Sequence, residues 1–164
     1  ETFLSGHHNY FISPEGYRVE QKEFKGRHIP NGEVNIHAGY NLNHNWNLSL
    51  RLGYTGVADM HPAIPATLRL TGFFGKDHMA DRWFVYGEGG SGISIKENPQ
   101  ELIVGRIGIG HRFSLSRYTK LDILASLRYI RTHPEIEYYG EHITSFTRNE
   151  GHAVSATLGI GLTF

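Results

Sequence analysis

Residues 154–164 read VSATLGIGLTF, with Val154, Ala156, Leu158, Ile160, Leu162 and Phe164 at every second position and Ser155, Thr157, Gly159, Gly161 and Thr163 between them. Successive side chains of a β-strand point to opposite faces, so this alternation specifies a strand and is incompatible with a 3.6-residue helical period. One face of the strand is apolar to its final aromatic. That face needs a cover, either a second protein layer or lipid.

The same alternation recurs upstream. Segments 33–43, 46–55, 64–75, 82–94, 101–114, 118–131 and 152–164 each read as strands, and no long helical stripe interrupts them. Short connections at 43–45, 75–81 and 115–117 alternate with longer polar ones at 56–63, 95–100 and 132–151, where Pro62, Pro99 and Pro134 act as breakers. Short turns at one rim and long loops at the other are the pattern of an antiparallel up-and-down sheet. Closing such a sheet with both ends on one side requires an even count, so an eighth strand is expected in residues 1–32. Either 2–12 or 17–24 supplies it, within 1–25, and the other stretch is expected to be rim or loop.

Parity then separates two faces. The even positions of 34–42, 46–54, 66–74 and 154–164, together with the odd positions of 85–89, 103–109 and 121–129 and Ile93, contain no Asp, Glu, Lys or Arg. The opposite parity carries Asn35, His37, Asn41, Asn47, Ser49, Arg51, Thr67, Arg69, Thr71, Glu88, Arg106, Asp122, Ser126, Arg128, Ser155 and Thr157. A soluble sandwich or calycin-like barrel also alternates, with its apolar face inward. Against that reading, the polar face is short of Lys and Glu, the usual solvent-facing choices, and rich in Arg, Ser, Thr and Gly. Such a set suits a narrow interior in which charges pair. If the short turns share one rim, Tyr40, Trp46, Phe74, Trp83, Phe113, Tyr118 and Phe164 gather there and Tyr54 and Tyr129 at the other, as two aromatic girdles would.

Composition bounds the function. A chain of 164 residues is one domain's worth, so residues 1–164 are expected to form a single barrel domain. Sixteen basic residues balance sixteen acidic ones, which removes the broad basic footprint of a nucleic-acid binder. Without cysteine there is no disulfide, thiolate metal site or cysteine nucleophile. Mean hydropathy is −0.37 and no apolar run approaches the ~18 residues of a transmembrane helix, but barrel strands need only ~9–11 alternating residues. Glu1 is followed by neither a basic nor an apolar leader region, so the chain reads as a mature one.

The terminal strand, residues 154–164, resembles the C-terminal signature strand of bacterial outer-membrane β-barrel proteins, which end in an aromatic preceded by apolar residues at alternate positions. Seven strands plus one resemble the small eight-stranded class, OmpX-like or OmpA membrane-domain-like. The resemblance implies an eight-stranded antiparallel transmembrane barrel, integral to the outer membrane of a Gram-negative bacterium, whose terminal strand the barrel-assembly machinery reads. It is weak as to function, because the class includes anchors, adhesins and lipid A-modifying enzymes. No peptidoglycan-binding domain is expected after Phe164.

An eight-stranded bore is filled by side chains. Arg51, Arg69, Glu88, Arg106, Asp122 and Arg128, with Glu33 and Lys120 as further members, are expected to form a lumen charge network; a surplus of arginine over carboxylate leaves a narrow anion-selective pore as an alternative. Histidines suggest no metal: His7 and His8 point to opposite faces, and His28, His61, His133 and His142 read as loop residues. For a lipid A-modifying enzyme, the candidates by proximity are His142 with Ser145, and His152 with Ser155 and Glu150; His152 and Ser155, three apart, fall on opposite faces. The expected function is therefore non-enzymatic, with no cofactor, outer-membrane lipid as surroundings, and a structural or interaction role. HPEIEYYGEHITSFTR, residues 133–148, alternates on both sides of Gly140 and reads as a hairpin that extends the flanking strands beyond the bilayer. In OmpX-like proteins such a protruding sheet leaves edges that can pair with foreign strands, so the resemblance implies a partner-binding element at 134–148, with Ile136, Tyr138, Tyr139, Ile143 and Phe146 as its candidate residues.

Overall fold

The computed structural model describes residues 2–12, 17–23, 27–28, 32–56, 62–75, 80–95, 101–132, 137–138, 141–142 and 149–164. In chain order its strands are β1 (Thr2–Ile12), β2 (Tyr17–Glu23), β3 (Arg27–His28), β4 (Glu33–Asn41), β5 (Trp46–Thr55), β6 (Ala63–Phe73), β7 (Arg82–Ser94), β8 (Glu101–Ser114), β9 (Lys120–Thr132), β10 (Glu137–Tyr138), β11 (Glu141–His142) and β12 (Asn149–Thr163). Seven of these, β4 to β9 and β12, form one up-and-down meander in which every neighbouring pair is antiparallel.

Local chemistry sets the turns. Between β4 and β5, Asn43 Oδ1 accepts hydrogen bonds from the backbone N–H of Asn45 and Trp46, each at 2.9 Å, an Asx turn that lets the chain reverse at once. Between β8 and β9, Ser116 Oγ accepts from the N–H of Tyr118 and Thr119. After β6, Gly75 takes φ of 105°, the left-handed region that glycine enters at no steric cost.

Three expectations are corrected. Residues 2–12 and 17–24 are not one strand and one loop, because β1 and β2 are both strands and pair with each other from Gly6↔Glu23 to Ile12↔Tyr17. β1 also pairs with β12, from Thr2↔Ala156 to Tyr10↔Asn149, so the N-terminal hairpin extends the sheet past β12 and gives these backbone groups their partners. The long connection is shorter than 132–151, since β9 runs to Thr132 and β12 starts at Asn149. Within it, β10 and β11 pair as a separate two-stranded sheet, Glu137↔His142 and Tyr138↔Glu141. The stretches 133–136 and 143–148, which would join that hairpin to the flanking strands, lie outside the described residues. His28 and His142 stand in strands β3 and β11 rather than in loops.

Among the described residues β4 has a ladder partner on one side only, β5, so the backbone ladder does not close into a ring. The sheet nevertheless curls strongly. Glu33 on β4 meets Arg106 on β8 and Arg128 on β9. Strands stand about 4.8 Å apart, so in a flat sheet those elements would be about 20 Å or more from each other. The polar parity therefore lies on the concave side and the apolar parity on the convex side.

Candidate functional site

The concave side is where sequence and geometry concentrate chemistry. Glu88, in the middle of β7, is 8% exposed and sits opposite Arg69 of β6 and Arg106 of β8 in the ladder. Its Oε2 accepts from Arg51 Nη1 at 2.6 Å, from Arg69 Nη2 at 2.6 Å and from Arg69 Nε at 2.9 Å. Its Oε1 accepts from Thr67 Oγ1 at 2.7 Å and has Arg106 Nη1 at 3.8 Å. One carboxylate thus gathers three guanidinium groups. Charge-assisted bonds of this kind are short and directional, and desolvation raises both their strength and the cost of removing either partner.

A second carboxylate extends the network across the concave side. Glu33 at the start of β4 accepts from Arg106 Nη2 and from Asn35 Nδ2, and Arg128 Nη1 lies 3.4 Å away. Arg128 is 1% exposed and, with Phe84, is one of the two largest fully buried side chains among the described residues. Nearer the short-turn rim, Arg112 of β8 donates from Nε and Nη2 to both oxygens of Asp122 on β9, each at 2.7 Å. This is the bidentate fork that fits guanidinium to carboxylate.

Aromatic rings fill the space between the two groups. Phe73, Phe84 and Tyr86 pack together on the concave side, the Arg69 guanidinium lies 3.9 Å from the Tyr86 ring centre, and those of Arg82 and Arg112 lie 4.0 and 4.6 Å from that of Phe73. Room for these rings comes from glycine: a Cβ on Gly108 would meet the Tyr86 ring, and one on Gly110 the Phe84 ring. A cavity of about 900 Å³ remains, bordered by Arg51, Arg69, Arg106, Arg112 and Asp122.

Arg51, Arg69, Glu88 and Arg106 thus meet in one group, Arg128 joins it through Glu33, and Asp122 is held apart by Arg112. Lys120 takes no part; its ammonium donates to Ser114 Oγ at the β8–β9 turn. Arg112 and Tyr86 belong to this site and were not singled out from the sequence. Both lie on the polar parity, Arg112 six residues after Arg106 and Tyr86 two before Glu88, so extending the parity to the strand ends would have found them.

Tyr40, Trp46 and Trp83 are exposed at strand ends beside the short turns, Tyr118 is exposed within the turn between β8 and β9, and Phe164 is exposed just past the end of β12 at the same rim. Phe113 is half-buried there, its ring 4.5 Å from that of His111. At the opposite rim, His152 receives the Tyr129 hydroxyl contact at Nδ1, 2.6 Å, has Glu150 Oε2 3.7 Å from Nε2, and stacks on His7. Ser155 is buried on the concave side, so His152 and Ser155 face opposite sides of the sheet. Ser145, Ile136, Tyr139, Ile143 and Phe146 lie outside the described residues, and of Tyr138 only the backbone pairing is described.

The chain is an all-β protein with antiparallel up-and-down strands and a charged, buried concave face. No protein-family model matches it, and no curated protein does. Among solved structures, the N-terminal β-barrel domain of Pseudomonas aeruginosa OprF is similar to it, with 15% identity, a TM-score of 0.44 and 100% of both chains covered.

Proposed function

We propose that this chain is an integral β-barrel of a Gram-negative outer membrane, non-enzymatic, with a lumen plugged by the Glu88 and Glu33 ion-pair network. The observation that carries this reading is the inversion of burial. Arg128, Glu88, Arg106 and Asp122 are shielded within the sheet, while Leu50, Leu68, Ile107, Leu127 and Ile160 of the same sheet are exposed. A water-soluble sheet would bury the second set, whereas an apolar band outside a polar interior is the arrangement that hydrocarbon requires. The aromatic residues beside the short turns fit the periplasmic interface, where amphipathic rings sit at headgroup level.

Eight strands are the proposed count. β2, β3 and β4 run in one direction and act as a single interrupted strand between β1 and β5, and with that grouping directions alternate through to β12. The terminal strand serves the barrel-assembly machinery, and the β10–β11 hairpin, with Tyr138 and its neighbours 136–146, serves a protein partner outside the cell. In a side-chain-filled bore the arginine surplus is structural, so the protein is a structural or interaction barrel rather than a pore or a lipid A-modifying enzyme.

Expression in a Gram-negative host followed by membrane fractionation tests this. The protein is expected in the outer-membrane detergent extract and to shift its electrophoretic migration on boiling, as barrels that resist detergent at room temperature do. Recovery in the soluble fraction without a heat shift would contradict it.

A further inference from the structure

One ladder row crosses the concave side through Ser49 of β5, Arg69 of β6, Glu88 of β7, Arg106 of β8 and Arg128 of β9, each directly opposite the next. Directly opposite residues share a face, so three guanidinium groups stand in line with a single carboxylate, and like charges in such a row destabilise it. Arg51, two residues after Ser49 on the same face, adds another cation. Even with Arg128 set aside, Arg51, Arg69 and Arg106 outnumber the carboxylates they touch, Glu88 and Glu33.

Hydrogen bonds show the same imbalance. The acceptors are taken up: Glu88 receives Arg51, Arg69 and Thr67, Glu33 receives Arg106 and Asn35, and both oxygens of Asp122 receive Arg112. Donors are left over. Among the described residues the Arg51 guanidinium donates from Nη1 alone and that of Arg69 from Nε and Nη2, while Arg106 Nε is buried without an acceptor. Native interiors rarely leave such donors unmet. All three arginines border the cavity of about 900 Å³, together with the buried Ser49 and Thr71, whose hydroxyls are further donors.

We propose that this cavity binds one small free oxyanion of the phosphate class, held by Arg51, Arg69 and Arg106 with Ser49 and Thr71 beside them. It is a resident counter-ion, not a permeating one. The proposal deepens the plugged-lumen reading and rests on it: the anion supplies the negative charge and the acceptors that Glu88 and Glu33 leave short. A tetrahedral oxyanion offers acceptors in several directions, to which guanidinium groups donate in pairs, and a shielded site strengthens each bond. A halide brings the charge without those directed acceptors.

The test uses the chain folded in maltoside micelles free of phosphate. Inorganic phosphate is titrated in at constant ionic strength, and binding is read from the phosphorus resonance. Saturable binding of one phosphate per chain is expected, with Kd below about 1 mM. Sulfate is expected to displace it, which needs no variant to fold, and short-chain phosphatidic acid to displace it far less. Arg51→Met leaves Glu88 its bonds to Arg69 and is expected to weaken binding about tenfold or more. Arg131→Gln, at the long-loop rim, is expected to leave binding unchanged. No saturable binding by the folded chain overturns the proposal, as does equal affinity in Arg51→Met. Equal weakening by Arg131→Gln reduces the effect to surface charge, and displacement by phosphatidic acid as strong as by sulfate moves the source to a lipid headgroup; either result overturns the free-ion site. Folding is checked by the shift in migration on boiling. Its absence removes the barrel reading and the site with it, whereas a shifted chain that binds no phosphate loses the site alone.

Discussion

On β9, Leu127 and Arg128 are adjacent in the chain and opposite in circumstance. Leu127 is 47% exposed on the convex face, while Arg128 is 1% exposed on the concave one. Burying an arginine is costly unless its charge and hydrogen bonds are met, and exposing a row of leucines to water forfeits the main driving force of folding. Both arrangements are favourable together when the medium outside is hydrocarbon and the arginine finds carboxylates inside. The two faces of one sheet therefore obey different rules: the concave face is held by specific partners, and the convex face by the absence of any charge.

Each rule can be broken separately. The largest effect is expected from Glu88→Ala, which leaves Arg51, Arg69 and Arg106 facing one another without their shared carboxylate. A loss of about 3–5 kcal/mol is expected, measured by urea unfolding in detergent micelles, because removing one partner strands the other charges. A loss under about 1 kcal/mol would show that the interior is wetter than its burial implies. Next comes Leu127→Arg on the convex face, expected to cost about 2–4 kcal/mol in lipid vesicles near mid-bilayer. Leu127→Phe at the same site keeps the surface apolar and is expected to change stability by much less.

Steric fit on the concave side gives a smaller effect. Gly110→Val pushes a branched side chain against the Phe84 ring and the β9 backbone, and overpacking of this kind costs about 1–3 kcal/mol. The smallest effect is expected at the long-loop rim, where Arg131 and Glu150 pair at 2.6 Å with side chains about a third exposed. Arg131→Gln is expected to cost no more than about 1 kcal/mol and to matter less as salt rises. If it costs as much as Glu88→Ala, depth in the wall is not what distinguishes the two pairs.

Most of the wall was readable because strand parity is a local property. The segment 118–131 became β9 at Lys120–Thr132 and 82–94 became β7 unchanged, since alternation needs only neighbours two residues apart. Ion-pair partners were less readable. Whether Asp122 meets Arg106 or Arg112 depends on the stagger between strands, which no single strand encodes; the β8–β9 register places Arg112 opposite Asp122. The N-terminal hairpin was half missed for a different reason: residues 17–24 carry many charges and lack a clear apolar parity, so their strand character comes from pairing with β1 rather than from their own pattern.

The central claim is that lipid covers the convex face. Nitroxide labels placed one at a time at positions 121–129 of the reconstituted protein, read for collision with oxygen and with a water-soluble nickel chelate, test it most directly. The account predicts a period of two, with labels at 121, 123, 125, 127 and 129 open to oxygen and closed to the chelate. Equal access of the chelate to those odd positions would contradict it.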